Sequence, residues 1–247
     1  TAIENSTAEN KSGEKEIVRY NPEDLSRDVL VSAQQLTPTG TDKALTIDDY
    51  IWSEDRNKLL IYTNSKKVWR SNSRGDYWLL DLQTNQLKQL GDKLASPSSL
   101  MFAKFSSNGD KVAYVFDNNI YVENLTNGNI KQLTFDATAS VINGVFDWVY
   151  EEEFIIRDGF RWSPDGSKIA YWQLDTSGSK DFMMINNTDG LYPTITKFPY
   201  PKVGETNALA KIAVVNVDSA ESTWMDLPDN SRNMYVPRMN WSGNSEE

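Results

Sequence analysis

Three consecutive carboxylates, Glu151, Glu152 and Glu153, follow Asp147-Trp148-Val149-Tyr150 and precede the apolar triplet Phe154, Ile155 and Ile156. Carboxylates this close repel one another, most of all where water is excluded. A chain that keeps them together either leaves them in solvent or gives them a cation. Asp147 has the type and position of a helix N-cap, and acidic residues in a first turn suit the positive end of the helix dipole. One reading is therefore a solvated acidic helix start, since charge runs are usually exposed faces. The other is a receptor for an ammonium group, which presents three donors and one positive charge.

The composition narrows the chemistry. The 247-residue chain has a formal net charge of -10, eight Trp, eleven Tyr, no Cys and no His. The acidic balance disfavours nucleic acid, whose phosphates need clustered Lys and Arg. Without Cys or His this chain cannot by itself make a Ser-His-Asp or Cys-His-Asn site, a disulfide or a His-ligated zinc. Asp48-Asp49 and the Asn-rich turns lack the spacing of an EF-hand loop, so no metal and no cofactor are expected. No apolar run is long enough for a membrane helix, and the polar stretch 1–16 is no signal peptide. That stretch reads as a mobile segment, with the fold expected over 17–247.

Two patterns alternate along the chain. Stretches 17–31, 77–90, 120–134 and 212–227 each join two short alternating strands through a polar turn, a hairpin signal. Stretches 50–63, 103–116 and 160–173 each place an aromatic residue before Ser, then a turn and a β-rich run. Trp52, Phe105 and Trp162 mark equivalent points, and Trp241 starts a fourth copy. One hairpin of each kind makes a four-stranded antiparallel sheet, and about 40–50 residues per repeat is the period of β-propeller blades. The predicted fold is all-β: three complete blades bounded by two partial ones, a partial propeller belonging to a longer protein. Two insertions depart from the repeat. One carries the acidic triplet, and the other runs from Gln173 to Lys211 through Phe198-Pro199-Tyr200-Pro201.

With these features together, the chain resembles the dipeptidyl peptidase IV family, its bacterial members most closely. The resemblance rests on DWVYEEE (147–153), RWSPDGSKIAYWQLD (161–175) and the YP…PYPKVGETN stretch (192–207), and runs from about Tyr20 onward. It implies an eight-bladed propeller paired with a C-terminal α/β-hydrolase domain that supplies the Ser-Asp-His triad. It implies release of N-terminal dipeptides with Pro or Ala second, and a periplasmic or secreted location, and it allows a homodimer. In the family motif the second and third Glu hold the substrate's free amine, which here are Glu152 and Glu153. Val68-Trp69-Arg70 sits where the family places an Arg that reaches a substrate carbonyl, so Arg70 is the match. The hydrolase half and its G-x-S-x-G turn are absent from this chain, so it contributes substrate-binding residues and no catalytic one.

The chemistry suits such a substrate. A peptide amine is mostly charged at neutral pH, and two carboxylates can accept two of its donors. A capped peptide would leave the pair unmatched, which is costly. The pair is also a ruler, because two extended residues span about 7 Å. For Arg70 the competing reading is a solvated hairpin tip shared with Lys66, Lys67 and Arg74. For the whole chain the competing functions are a non-enzymatic propeller that binds a protein partner, and an unrelated ligand-binding propeller.

Overall fold

The computed structural model describes residues 1–227 and 232–246. The chain falls into two compact units, 1–105 with 109–112, and 106–108 with 113–247. The architecture is almost wholly antiparallel β. In the first unit, β1 (Ala2–Asn5), β2 (Lys15–Tyr20) and β3 (Arg27–Val31) form a three-stranded sheet. The polar start, expected to be mobile, thus carries a strand: β1 pairs with β2 from Ala2–Val18 to Asn5–Lys15. A low apolar content does not prevent pairing when the neighbouring backbone offers a free edge. The first hairpin therefore has a third strand beside it.

A four-stranded blade follows, with β4 (Asp49–Trp52), β5 (Lys58–Lys67), β6 (Asn72–Asp81) and β7 (Gln86–Gln89) in sequential order. Its inner-facing residues join those of β2 and β3 in a core of Ile17, Val31, Leu36, Leu59, Ile61 and Leu80. Strands β8 (Met101–Phe105), β9 (Lys111–Phe116), β10 (Asn119–Asn124) and β11 (Ile130–Gln132) form the next sheet, in which the boundary between the units falls.

The last assembly, a five-stranded sheet with a separate hairpin, holds the acidic stretch. It comprises β12 (Val141–Asn143), the helix α1 (Trp148–Glu152), β13 (Phe160–Trp162), β14 (Lys168–Asp175), β15 (Asp181–Asn186), β16 (Thr194–Pro199), β17 (Leu209–Asn216) and β18 (Ser222–Trp224). β14, β17 and β18 run side by side, and β15 and β16 make a separate two-stranded hairpin. β12 and β13 both pair with β14, β12 along Gln173–Asp175 and β13 along Ile169–Tyr171. They are two halves of one first strand, so the insertion begins later than the repeat suggests.

The aromatic-Ser motif has a local reason. Ser53 Oγ donates to Asp55 at 2.6 Å and accepts the Lys58 N–H at 2.9 Å. Ser163 repeats both bonds with Asp165 at 2.7 Å and Lys168 at 2.9 Å. The hydroxyl closes the turn between the first two strands of each blade, a side-chain bond that short polar residues make well. The lysine that ends each turn reaches onward: Lys58 Nζ donates to Gly109 O at 3.0 Å, and Lys168 Nζ to Ser245 O at 2.9 Å. Gly109 and Ser245 occupy the same place in the following copy of the motif, so the repeats are tied by a repeated bond.

Candidate functional site: an acidic helix on an interrupted strand

The excursion that carries the carboxylates closes on itself at Trp172. Gly144 N–H donates to Trp172 O at 2.9 Å, Trp172 N–H to Gly159 O at 3.0 Å, and Gly159 N–H to Gly144 O at 3.0 Å. Both glycines are sterically required. A Cβ on Gly159 would lie 2.6 Å from the Gly144 carbonyl carbon, and Gly144 has φ +71 with Ile120 and Val115 at 2.9 Å from its own Cβ position. A larger residue at Gly159 would have to move backbone, and one at Gly144 would meet both a left-handed φ and the packed side chains of Ile120 and Val115.

Within this loop, α1 has barely more than one turn, too short to persist by propensity alone. Three features hold it. Asp147 is extended and accepts the Tyr150 N–H at 3.0 Å, the expected N-cap. Tyr150 is fully buried among Phe146, Trp172 and Leu174, and its hydroxyl accepts the Val236 N–H at 3.0 Å. On another side Trp148 packs against Phe198, with ring centroids 6.2 Å apart, and edge-on to Tyr200 at 4.7 Å. Both aromatics of the motif are thus anchors. The helix ends at Glu152, and just beyond it Ile155, with a φ of +57, turns the chain so that the Ile156 N–H reaches Tyr150 O at 3.2 Å. A β-branched residue in that region carries strain.

This geometry sorts the three glutamates. Glu151 is 1 % exposed, Glu152 is half-buried and Glu153 is exposed. The triplet is neither a uniformly solvated face nor a uniformly buried cluster. Burial pushes the Glu151 carboxyl up to about 7; the charge of Arg157 opposes that rise, while Glu152 and Asp147 add to it. Glu151 Oε2 and Arg157 Nε are buried without a hydrogen-bond partner among the described residues. Burial also raises Asp147 to about 6 against its cap bonds from Tyr150 and Val149. The sequence did not single out Glu151, although its i,i+4 spacing from the cap puts it on the same helix face as Asp147.

Arg70 lies in the other unit. It is exposed, between β5 and β6, at the end of a hairpin whose Val68 N–H donates to Ser71 O at 3.0 Å. This is the link from second to third strand of a blade, as the repeat predicts. Glu152 and Glu153 sit together at the exposed end of α1, and each of the two groups is defined within its own unit. Among the described residues, no cluster of three or more Asp or Glu is placed to hold a metal ion.

Four-stranded blades with a capped acidic helix lifted from a first strand define a β-propeller domain with two accessible carboxylates at the end of that helix. Residues 53–247 match the model of the dipeptidyl peptidase IV N-terminal region, and the chain belongs to that family. It is similar to the crystal structure of Porphyromonas gingivalis dipeptidyl peptidase 4, with a TM-score of 0.82 and 30% identity over 94% of this chain and 32% of that one. Dipeptidyl aminopeptidase B of Saccharomyces cerevisiae is 29% identical over 92% of this chain and 28% of its own length. A protein named inactive dipeptidyl peptidase 10, from Rattus norvegicus, is 27% identical over 78% of this chain and 25% of its own length. The chain therefore spans about a quarter to a third of these relatives.

Proposed function

We propose that this chain is the substrate-gating propeller part of a serine-type exopeptidase that removes N-terminal dipeptides of the Xaa-Pro and Xaa-Ala kind. Glu152 and Glu153 accept hydrogen bonds from the substrate's ammonium, Arg70 donates to a backbone carbonyl, and a hydrolase domain outside this sequence supplies the triad. The observation that carries this reading is the grading of the triplet. Its first carboxylate is buried, and the next two emerge at the accessible end of a helix pinned by cap, core and aromatic contacts. Two oriented carboxylates favour a charged amine over a capped one because an unmatched, partly desolvated charge is costly. A homodimer is supported by the β15–β16 hairpin, which exposes Met183, Ile185, Leu191 and Tyr192.

The test uses the longer polypeptide that joins this chain to its hydrolase domain. Glu152→Gln and Glu153→Gln are expected to lose roughly 2–5 kcal/mol of transition-state binding for a free-amine dipeptide substrate. Wild-type kinetics in both variants would remove the amine-binding role. The similarity to a relative named inactive favours a second reading, a propeller that binds a protein partner without catalysis. A longer polypeptide that lacks a nucleophilic Ser and its His would select that reading.

A further inference from the structure

The Gln173–Lys211 insertion leaves the same strand, β14, that the acidic excursion interrupts, and its hairpin leans on α1. Phe198, on β16, is 5 % exposed although the other apolar residues of the hairpin face solvent. It contacts Phe182 at 5.9 Å and Tyr200 at 6.4 Å between ring centroids, and Trp148 of α1 at 6.2 Å. Tyr200 closes the cluster against Phe182 at 5.6 Å and Trp148 at 4.7 Å, and Lys202 lies over the Phe182 ring at 5.8 Å. Trp148 and Glu152 are four residues apart on one helix, so they share a face. The aromatic cluster therefore buttresses the face that carries Glu152, opposite in role to Tyr150, which anchors the helix in the core. A helix this short takes its orientation from such contacts.

We propose that the β15–β16 hairpin is a positioning element of the carboxylate site, acting through Phe198 and Tyr200 on Trp148. The inference rests on the amine-binding reading above for its effect on substrate. Its structural half stands alone: the hairpin fixes the helix from which Glu152 and Glu153 project. The proposed effect of Phe198 and Tyr200 on substrate is exerted through Trp148 and the helix it belongs to.

Amide hydrogen exchange on this chain and kinetics on the longer polypeptide test the two halves. In Phe198→Ala, the amides of Tyr150, Glu151, Glu153 and Ile156 are expected to exchange about tenfold faster, the scale of lost aromatic pairs. The amides of β5 and β6 keep their rates. Trp148→Phe retains protection and Trp148→Ala loses it. Tyr200 is half-buried at the cluster's edge, so Tyr200→Ala decides the matter if Phe198→Ala does not fold. In the longer polypeptide the same variants raise KM for a free-amine dipeptide substrate about tenfold, with kcat changed little. Unchanged α1 exchange in both Phe198→Ala and Tyr200→Ala overturns the proposal. So does unchanged KM in those variants when Glu153→Gln raises it. If Glu153→Gln leaves KM unchanged, the amine reading fails instead, and the exchange result alone decides whether the hairpin positions α1.

Discussion

The Asp147 carboxylate accepts the backbone N–H of Tyr150 at 3.0 Å, and this bond starts the helix on which Glu151, Glu152 and Glu153 are graded from buried to exposed. Asp147 is itself 8 % exposed, so the cap is bought against desolvation that raises its carboxyl to about 6. Asp147→Ala removes the acceptor and is expected to destabilise the chain by about 1 kcal/mol. Asp147→Asn keeps an acceptor oxygen without a charge to bury and is expected to be the more stable of the two at pH 7. Urea denaturation of both variants checks the order. Equal losses would show that the charge, not the cap, is what matters.

Glu151 gives the fold a pH dependence of definite sign. Its ordinary carboxyl value is 4.5 and burial raises it to about 7, so between these values the folded state holds a proton that the unfolded state releases. Stability then falls as pH rises through that window. Asp147 acts in the same direction from 3.8 to about 6. Arg157 opposes the effect on Glu151, and Glu152 and Asp147 reinforce it. Glu151→Gln cannot ionise and is expected to flatten the fall in melting temperature between pH 4.5 and about 7. Parallel slopes for the two proteins would mean that Glu151 ionises as freely in the fold as outside it.

Closure of the acidic excursion depends on Gly159, where an added Cβ would sit 2.6 Å from the Gly144 backbone. Gly159→Ala is expected to cost roughly 1–3 kcal/mol by overpacking. Its loss of amide protection should be centred on Gly144, Gly159 and Trp172, whose three bonds close the loop. Wild-type stability in this variant would show that the loop base relaxes without strain.

The proposed function requires Arg70 to reach the same dipeptide as Glu152 and Glu153. The chain has no Cys, which makes a cross-linking test clean. In the Arg70→Cys, Glu153→Cys double variant, a bis-maleimide reagent spanning about 10 Å, on the scale of a short extended peptide, is expected to join the two thiols in one chain. Failure to cross-link, with both thiols reactive toward a monofunctional maleimide, would detach Arg70 from the amine site.

Much of the fold is written in local pattern. The alternation of strands, the Ser-Asp turns at Ser53 and Ser163 and the cap at Asp147 each depend on residues within a few positions of one another. Spacing alone therefore gives blades, turns and a helix start. The resemblance of DWVYEEE then directs attention to Glu152 and Glu153. Burial is different, because it depends on residues far apart in sequence. Nothing near Glu151 announces that it is enclosed, since that requires α1 to seat Tyr150 against Trp172 and to receive Val236 from the end of the chain. The strand at Ala2–Asn5 was hidden for the same reason: its partner is the backbone of Lys15–Val18, and backbone pairing leaves little mark on side-chain composition. The contact of Trp148 with Phe198 and Tyr200 joins two insertions that the repeat treats as separate departures. The sequence by itself thus determined which residues carry charge and where strands and turns lie. Only the tertiary structure decided which carboxylate loses its water, because desolvation is set by what packs around a group and not by its neighbours along the chain.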